Sequence, residues 1–164
     1  MTPMAMYLGP SFSQGHVSLC AVNESEIAAL GASPDVADAK AFWLAEAKLR
    51  QDLMYFAVRS GGELAGQFFL HDIDESHGEA LVGYHLFEPR FRGRGIGSTA
   101  LKLLQTYVEQ KTTLRRVFAI TDVGNTASRR IGARCGFVEV GGSREDPERS
   151  VVMEWQVPNR GKLA

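Results

Sequence analysis

The residues most suited to chemistry lie at positions 92–98, where three glycines alternate with Arg92, Arg94 and Ile96. An apolar run over residues 81–87 precedes them and predicts a strand, and a periodic run over residues 96–110 predicts a helix. Glycines at such a junction let an anion approach the backbone closely. The first helical amides point toward it, and the arginines add charge. This pattern predicts a phosphate site, with a flexible surface turn as the alternative.

Two common phosphate-binding loops do not fit this segment. A Walker A loop requires G-x-x-x-x-G-K-[S/T], and the Gly-Lys pair at residues 161–162 lacks that spacing. A dinucleotide fingerprint requires G-x-G-x-x-G within a βαβ unit. Here the glycines occupy every second position, and the strands before them are predicted to be antiparallel. The phosphate compound is therefore of another class.

A second motif lies downstream, where residues 125–128 read N-x-x-S and residues 136–137 read G-F. Together with R-x-x-G-x-G at residues 92–97, it resembles the GNAT N-acetyltransferase superfamily. The similarity is to the branch that holds the Rim-type ribosomal-protein N-acetyltransferases and many small-molecule acetyltransferases. It covers residues 79–137, and the earlier part of the chain resembles the family only in the order of its elements.

The resemblance implies a GNAT-like acyl-CoA N-acyltransferase fold, in which the strands on either side of the helix splay apart to admit the pantetheine arm. The glycine segment would hold the pyrophosphate, a backbone N–H near residues 86–88 would meet the acyl carbonyl, and Asn125 would bind pantetheine. A developing oxyanion needs such a fixed donor. The cofactor residues implied are Leu86, Phe87, Glu88, Arg92, Gly93, Arg94, Gly95, Ile96, Gly97, Ser98, Asn125 and Ser128.

Acetyl transfer requires a deprotonated amine, a stabilised oxyanion and a leaving thiolate that gains a proton. In much of the family a tyrosine protonates the thiolate, and that position here is Gly132. The resemblance makes Ser128 the side chain expected to contact the sulfur, with a helical serine bonding back to a carbonyl as the alternative. Protonation matters less for a thiol with a pKa of about 8.5.

The base must deprotonate an alkyl ammonium, which has a pKa of about 10. Glu79 ranks first, because it begins the strand where the family often places an acidic base. His85 ranks second, since an ordinary histidine titrates near neutrality, although a hydrogen-bonded core histidine is the alternative. Glu88 is the third candidate and precedes Pro89, so it can also cap the turn. The predicted catalytic residues are therefore Glu79, His85 and Ser128.

Residues 71–79 combine two histidines with several carboxylates, as a metal site would. Their spacing matches no defined ligand set, so we predict a solvated hairpin loop and no metal. Loops near this one border the acceptor groove in the family, and a second acidic group lies at residues 145–148. We therefore expect an acidic rim, including Asp72, Asp74 and Glu75, that attracts a cationic amine.

The predicted elements follow the order β-α-α-β-β-β-α-β-α-β-β, which gives an α+β fold. The strands are predicted at residues 17–22, 53–59, 63–71, 79–87, 116–121, 137–140 and 150–157, and the helices at residues 23–30, 33–50, 96–110 and 126–134. Gly61–Gly62 predicts a hairpin within an antiparallel meander. The helix after the glycines forms a crossover between parallel strands. We expect a mixed, mostly antiparallel sheet of six to seven strands with helices on both faces.

Length and composition predict a single domain over residues 1–164, with residues 1–15 as a loose N-terminal arm. A hydrophobic content of 45% and a net charge of −1 are ordinary for a globular protein and argue against a nucleic-acid binder. We predict no signal peptide and no membrane span. Cys20 and Cys135 lack metal or redox spacing. The expectation is a cytoplasmic protein, and the apolar arm allows a homodimer.

The resemblance implies an enzyme that moves an acetyl group from acetyl-CoA directly to a primary amine. Acetyl-CoA is then a co-substrate, and no metal is required. The acceptor is expected to be cationic, either a small-molecule amine or a peptide N-terminus such as an N-terminal alanine. A non-catalytic acyl-CoA binding or sensing module is the alternative, because the tyrosine is missing. The fold alone fixes no substrate.

Overall fold

A computed structural model describes Tyr7, residues 10–21 and residues 38–160. The strands are β1 (Phe12–Gln14), β2 (Val17–Cys20), β3 (Met54–Ser60), β4 (Glu63–Asp74), β5 (Glu79–Leu86), β6 (Arg116–Asp122), β7 (Val138–Gly141) and β8 (Ser150–Gln156). The helices are α1 (Asp38–Ala47), α2 (Ile96–Lys111) and α3 (Thr126–Arg134), and a 3-10 turn covers Pro89–Phe91. The strands form one sheet in the order β1-β2-β3-β4-β5-β6-β8-β7.

The predicted α+β class and the mixed, mostly antiparallel sheet are confirmed. The sheet has eight strands instead of six to seven, because Phe12–Gln14 pairs antiparallel with β2. At Phe12–Gln14 this strand corrects the prediction of a loose arm over residues 1–15, of which residues 1–6, 8 and 9 lie outside the described residues. The buried ring of Tyr7 packs against Phe56 and Tyr107 within its own chain. Aromatic packing therefore orders a segment whose composition predicted a coil.

Helices pack on both faces of the sheet, as predicted. On one face, α2 buries an apolar stripe that includes Ile96 and Leu104. On the other face, Leu44 of α1 packs with Tyr55 and Phe69 in a second core. The helix predicted at residues 23–30 lies outside the described residues.

The decisive feature of the sheet is the short contact between β5 and β6. These strands are parallel, as the crossover predicts, and they pair only where Glu79–Leu81 meets Arg116–Phe118. Beyond that point β5 continues with β4, and β6 continues with β8. A gap therefore opens in the middle of the sheet, and it lies beside the glycine segment.

Candidate functional site

Two cavities open into the gap between β5 and β6. The larger has a volume of about 540 Å³ and is bordered by the end of β5, the glycine segment and α3. The smaller has a volume of about 290 Å³ and is bordered by Trp43 of α1 and by side chains of β4, β5 and β6. Four residues line both cavities: Tyr84, His85, Asn125 and Ser128. Molecules bound in the two cavities would meet at these four residues.

The glycine segment borders the larger cavity, and its backbone requires glycine at two positions. Gly93 (φ 71°) and Gly95 (φ 76°) lie in the left-handed region, which residues with a side chain rarely adopt. Gly95 is the N-cap of α2 and has no side chain to accept from the first helical amides. The amides of residues 96–98 can therefore donate to an anion at the positive end of the helix dipole.

Two contacts hold this segment in place. Phe91 is 2% exposed and packs in the core below the loop, and the Arg92 N–H donates to the Pro89 carbonyl at 3.0 Å. Gly97 lies where α2 meets α3, and a Cβ added there would be 2.7 Å from Ile131 Cδ1. Glycine at this position therefore lets the two helices that border the cavity approach closely.

Nine of the twelve predicted cofactor residues line the larger cavity: Leu86, Arg92, Gly93, Gly95, Ile96, Gly97, Ser98, Asn125 and Ser128. Phe87, Glu88 and Arg94 do not line it. The Phe87 ring packs in the core below α1, and its N–H donates to the Ala65 carbonyl at 2.9 Å. The Glu88 carboxylate contacts the Arg90 guanidinium. Phe87 is therefore excluded as the oxyanion donor, because its N–H belongs to the β4–β5 ladder.

The start of α3 is fixed from both sides. Asn125 is the N-cap, and its Oδ1 accepts from the Ser128 N–H at 3.1 Å. The Ser128 carbonyl accepts from the Tyr84 hydroxyl on β5 at 3.0 Å. These bonds place the Ser128 side chain where the two cavities meet, and they leave the Asn125 amide nitrogen as the group that can donate to a ligand.

Tyr84 is a site residue that the sequence did not reveal. Its ring stacks on Phe68 with centroids 5.1 Å apart, and burial raises the pKa of its hydroxyl to about 12. The hydroxyl is therefore neutral at physiological pH and acts as a hydrogen-bond donor to α3. The available signal was its place on the strand before the glycines, next to His85.

The predicted bases lie at opposite ends of β5. His85 lines both cavities, and its Nδ1 lies 2.9 Å from Nε2 of Gln67. Glu79 lines neither cavity and forms an ion pair of 2.8 Å with Arg116 where β5 and β6 still pair. The two residues are six positions apart along the strand, a distance of about 20 Å. Glu79 therefore lines neither cavity, and its assignment as the base stays a prediction.

The acidic loop is largely engaged in local contacts. Asp72 bonds His71 Nδ1 at 2.5 Å and Arg50 at 3.3 Å. Asp74 accepts from Ser76 at 2.7 Å and bonds the His77 ring at 2.7 Å. The loop also lies at the end of β5 where the strands still pair, and only His71 reaches the smaller cavity.

His71 lies near the end of β4 and is much less exposed than Asp72 beside it. Burial lowers the pKa of its ring, and the bond to the Asp72 carboxylate opposes that effect only in part. Its ring lies 4.4 Å from the Trp43 ring, which stacks on Phe69 at the same centroid distance. The wall of the smaller cavity near α1 is thus aromatic and neutral.

Metal ligands and membrane helices are absent from the part of the chain that the structure describes. Within residues 7, 10–21 and 38–160, no three histidine, cysteine or acidic side chains are grouped as metal ligands would be. Across the same ranges, no helix is both long and apolar enough to cross a membrane.

Residues 13–138 match the family Acetyltransf_3, described as "Acetyltransferase (GNAT) domain". This range includes the glycine segment and every residue that lines the two cavities. The chain belongs to the GNAT acetyltransferase family. The predicted family membership is thereby confirmed.

This GNAT chain is similar to a curated protein of Bacillus subtilis (strain 168), the "Putative ribosomal N-acetyltransferase YdaF". The two are 37% identical over 84 residues, which make up 51% of this chain. The matched region spans 45% of the length of that relative, which is less than half.

Two solved structures share the GNAT fold. One is "RimL- Ribosomal L7/L12 alpha-N-protein acetyltransferase" in complex with coenzyme A, with a TM-score of 0.73 and 21% identity over 90% of this chain and 98% of that chain. The other is the "Ribosomal-protein-S5-alanine Acetyltransferase from Vibrio fischeri", with a TM-score of 0.75 and 17% identity over 93% of this chain and 100% of that chain. These similarities confirm the predicted GNAT-like fold.

Proposed function

We propose that this GNAT protein transfers an acetyl group from acetyl-CoA directly to a primary amine, with the N-terminal α-amine of a protein or peptide as the acceptor. The observation that carries the proposal is the meeting of two cavities at Tyr84, His85, Asn125 and Ser128. Direct transfer needs a donor and an acceptor on either side of one reaction centre. The gap between β5 and β6 supplies both positions.

The larger cavity is the proposed site of acetyl-CoA. Its pyrophosphate would accept from the amides of residues 96–98 at the start of α2, with the Arg92 guanidinium nearby. The pantetheine arm would pass through the gap beside Asn125. The acyl carbonyl would lie at the end of β5, beside Leu86, which lines this cavity.

In the proposed reaction, the neutral amine attacks the thioester carbonyl, the new C–N bond forms, and the C–S bond breaks. The proton leaves the amine nitrogen, and the coenzyme A thiolate gains one. Ser128 is the proposed contact of the sulfur, and His85 is proposed to contact the reacting groups where the two cavities meet. Gly132 has no side chain to replace the tyrosine of other family members, and a Cβ there would be 2.9 Å from the Met153 sulfur.

The smaller cavity is the proposed acceptor site. Trp43 and Phe69 form an apolar wall, and His71 is neutral near physiological pH because burial lowers its pKa. This wall fits a peptide terminus with an uncharged first side chain better than a polycation. The relatives named above are described as acetyltransferases of ribosomal proteins. We therefore place a ribosomal or similar protein terminus first among acceptors, and a cytoplasmic location follows from that choice.

Release of free thiol from acetyl-CoA in the presence of an acceptor panel tests the proposed function. The panel contains peptides with N-terminal alanine or serine, aminoglycosides and polyamines. We expect release with the peptides and little with the polycations. Coenzyme A binding by calorimetry without release from any acceptor would instead favour a non-catalytic binding module.

The cofactor half of the site has matched variants in one loop. We expect Arg92→Ala to raise the KM for acetyl-CoA about tenfold, because a charge-assisted bond to phosphate is lost. Arg94→Ala removes an arginine two residues away whose side chain does not line the cavity, so it serves as the control. Asn125→Asp keeps the helix cap but removes the amide donor, and its effect should resemble that of Arg92→Ala. Equal KM values for all variants would contradict this assignment.

Replacement of Glu79 by Gln tests whether its carboxylate is the base. We expect Glu79→Gln to retain kcat within about twofold, because Glu79 lines neither cavity and its surface ion pair contributes under about 1 kcal/mol. The measurement is steady-state kinetics, with thermal unfolding as a check of the fold. If turnover instead fell by about 100-fold, the scale expected for a general base, without loss of stability, Glu79 would return to the mechanism.

A further inference from the structure

A buried amide connects the reaction centre to the interior of the sheet. Gln67 on β4 is 1% exposed and lies opposite His85 in the strand register. Its Nε2 is 2.9 Å from His85 Nδ1, and its Oε1 accepts from the Tyr55 hydroxyl of β3 at 2.8 Å. A polar side chain this deeply buried is destabilising unless it is hydrogen-bonded. Both ends of the Gln67 amide are engaged, so its orientation is fixed by its partners.

The direction of these two bonds determines where the ring of His85 carries its proton. The Tyr55 hydroxyl donates to Oε1, which turns the NH₂ group of Gln67 toward His85. An NH₂ group only donates, so Nδ1 must accept, and the neutral ring then carries its proton on Nε2. We propose that Gln67 is a positioning residue that holds His85 as the Nε2–H tautomer at the border of the two cavities.

The consequence for acetyl transfer rests on the proposed function. As a donor, Nε2–H stabilises negative charge that develops on the acyl oxygen. For His85 to accept a proton at Nε2, Nδ1–H must donate to Gln67. The Gln67 amide must then rotate by half a turn, and the Tyr55 hydroxyl must accept instead of donate. The protonation state of His85 and the orientation of the buried amide are therefore coupled.

A second histidine in the smaller cavity provides an internal reference. His71 Nδ1 lies 2.5 Å from the Asp72 carboxylate, which only accepts, so the neutral ring of His71 carries its proton on Nδ1. The two rings that border one cavity are therefore held in opposite tautomers. Burial raises the pKa of the hydroxyls of Tyr55 and Tyr84, so these two neighbours of the Gln67–His85 pair remain neutral. His71 and the arginines Arg92, Arg130 and Arg134 line the same two cavities as His85.

Long-range ¹H–¹⁵N correlation spectra of the intact protein test the proposal without turnover. Signals are assigned with His85→Ala and His71→Ala, at a pH where both rings are neutral. We expect a protonated Nε2 and an unprotonated Nδ1 for His85, and the reverse for His71. A protonated Nδ1 on His85 in the unchanged protein overturns the proposal, even if every variant fails to fold. This readout is independent of whether acetyl transfer is observed.

Two substitutions then separate positioning from packing. Gln67→Glu replaces the donor with an acceptor, so we expect His85 to switch to the Nδ1–H tautomer. Gln67→Met keeps the length of the side chain but removes both hydrogen bonds, so we expect His85 to lose its fixed ring orientation while the fold is retained. An unchanged His85 pattern in folded Gln67→Glu overturns the proposal.

Kinetics provide a second readout that a purely structural role would not affect. We expect Gln67→Glu to lower kcat about 100-fold, as expected for loss of one oxyanion donor, with the KM for acetyl-CoA nearly unchanged. Gln67→Glu and His85→Ala should be strongly non-additive, because the proposed effect of Gln67 on turnover passes through His85. Additive losses in this double-mutant cycle would show that Gln67 acts by another route and would contradict the proposal.

Discussion

Gly66→Ala is expected to lower the free energy of unfolding by about 2–3 kcal/mol, as overpacking of a tight core does. A Cβ at this position would lie 2.3 Å from the carbonyl oxygen of His85 and 3.1 Å from the Cα atom of Leu86. Both are backbone atoms, so no side-chain rotation relieves the clash. The strands β4 and β5 must separate next to the reaction centre, and acetyl transfer should fall together with stability.

Gly124→Ala is the matched control for this change. A Cβ at Gly124 meets no heavy atom within 4 Å, and the backbone there is outside the left-handed region. The free energies of unfolding of the two variants, measured with denaturant, should therefore differ by most of the loss predicted for Gly66→Ala. Equal denaturant midpoints for Gly66→Ala and Gly124→Ala would contradict this prediction, because they would show that β4 and β5 can accommodate a Cβ at Gly66.

Phe91→Ala is expected to cost about 3–5 kcal/mol of stability, the usual range for a buried phenylalanine. Its ring is 2% exposed and belongs to the core that α2 covers. The same ring supports the backbone that leads into Gly93 and Gly95. A cavity below this turn frees the glycine segment, so we also expect the Kd of coenzyme A to rise at least tenfold, measured by calorimetry at a temperature where the variant is folded.

Two further variants distinguish loss of the ring from loss of its support. Phe42→Ala removes a phenylalanine that is 51% exposed, so its effect on stability should be small. Phe91→Leu retains most of the buried volume and should recover most of the coenzyme A affinity. If Phe91→Ala loses stability but binds coenzyme A as before, the loop is held by its own backbone and not by this ring.

Much of the fold was predictable because local pattern and physical constraint agree. The apolar runs of β3 and β4 flank a Gly-Gly hairpin, and β5 follows after a second turn, a pattern that favours a meander. The helix after the glycines must be a crossover, and β5 and β6 are indeed parallel. The glycine segment and the Asn125 cap carry their own local signatures, so nine of the twelve predicted cofactor residues reach one cavity.

The remaining features depend on contacts between distant parts of the chain. Glu79 and His85 lie on the same strand, and only the register with β6 shows that one is at the closed end and the other at the gap. The role proposed for Gln67 depends on its hydrogen bonds to Tyr55 and His85, which lie on neighbouring strands. The strand at Phe12–Gln14 forms in a segment of coil-like composition, and β2 supplies its pairing partner. No local pattern encodes these relations.

The gap between β5 and β6 also divides the chain into two consecutive parts. Residues that border only the larger cavity come almost entirely from positions after His85, whereas the aromatic wall of the smaller cavity comes from Trp43, Phe69 and His71. Exchange of the first part between homologues could therefore alter the choice of acceptor while the coenzyme A segment is inherited intact. Chimeras joined within β5 would combine the range of amine acceptors of one parent with the affinity for acetyl-CoA of the other.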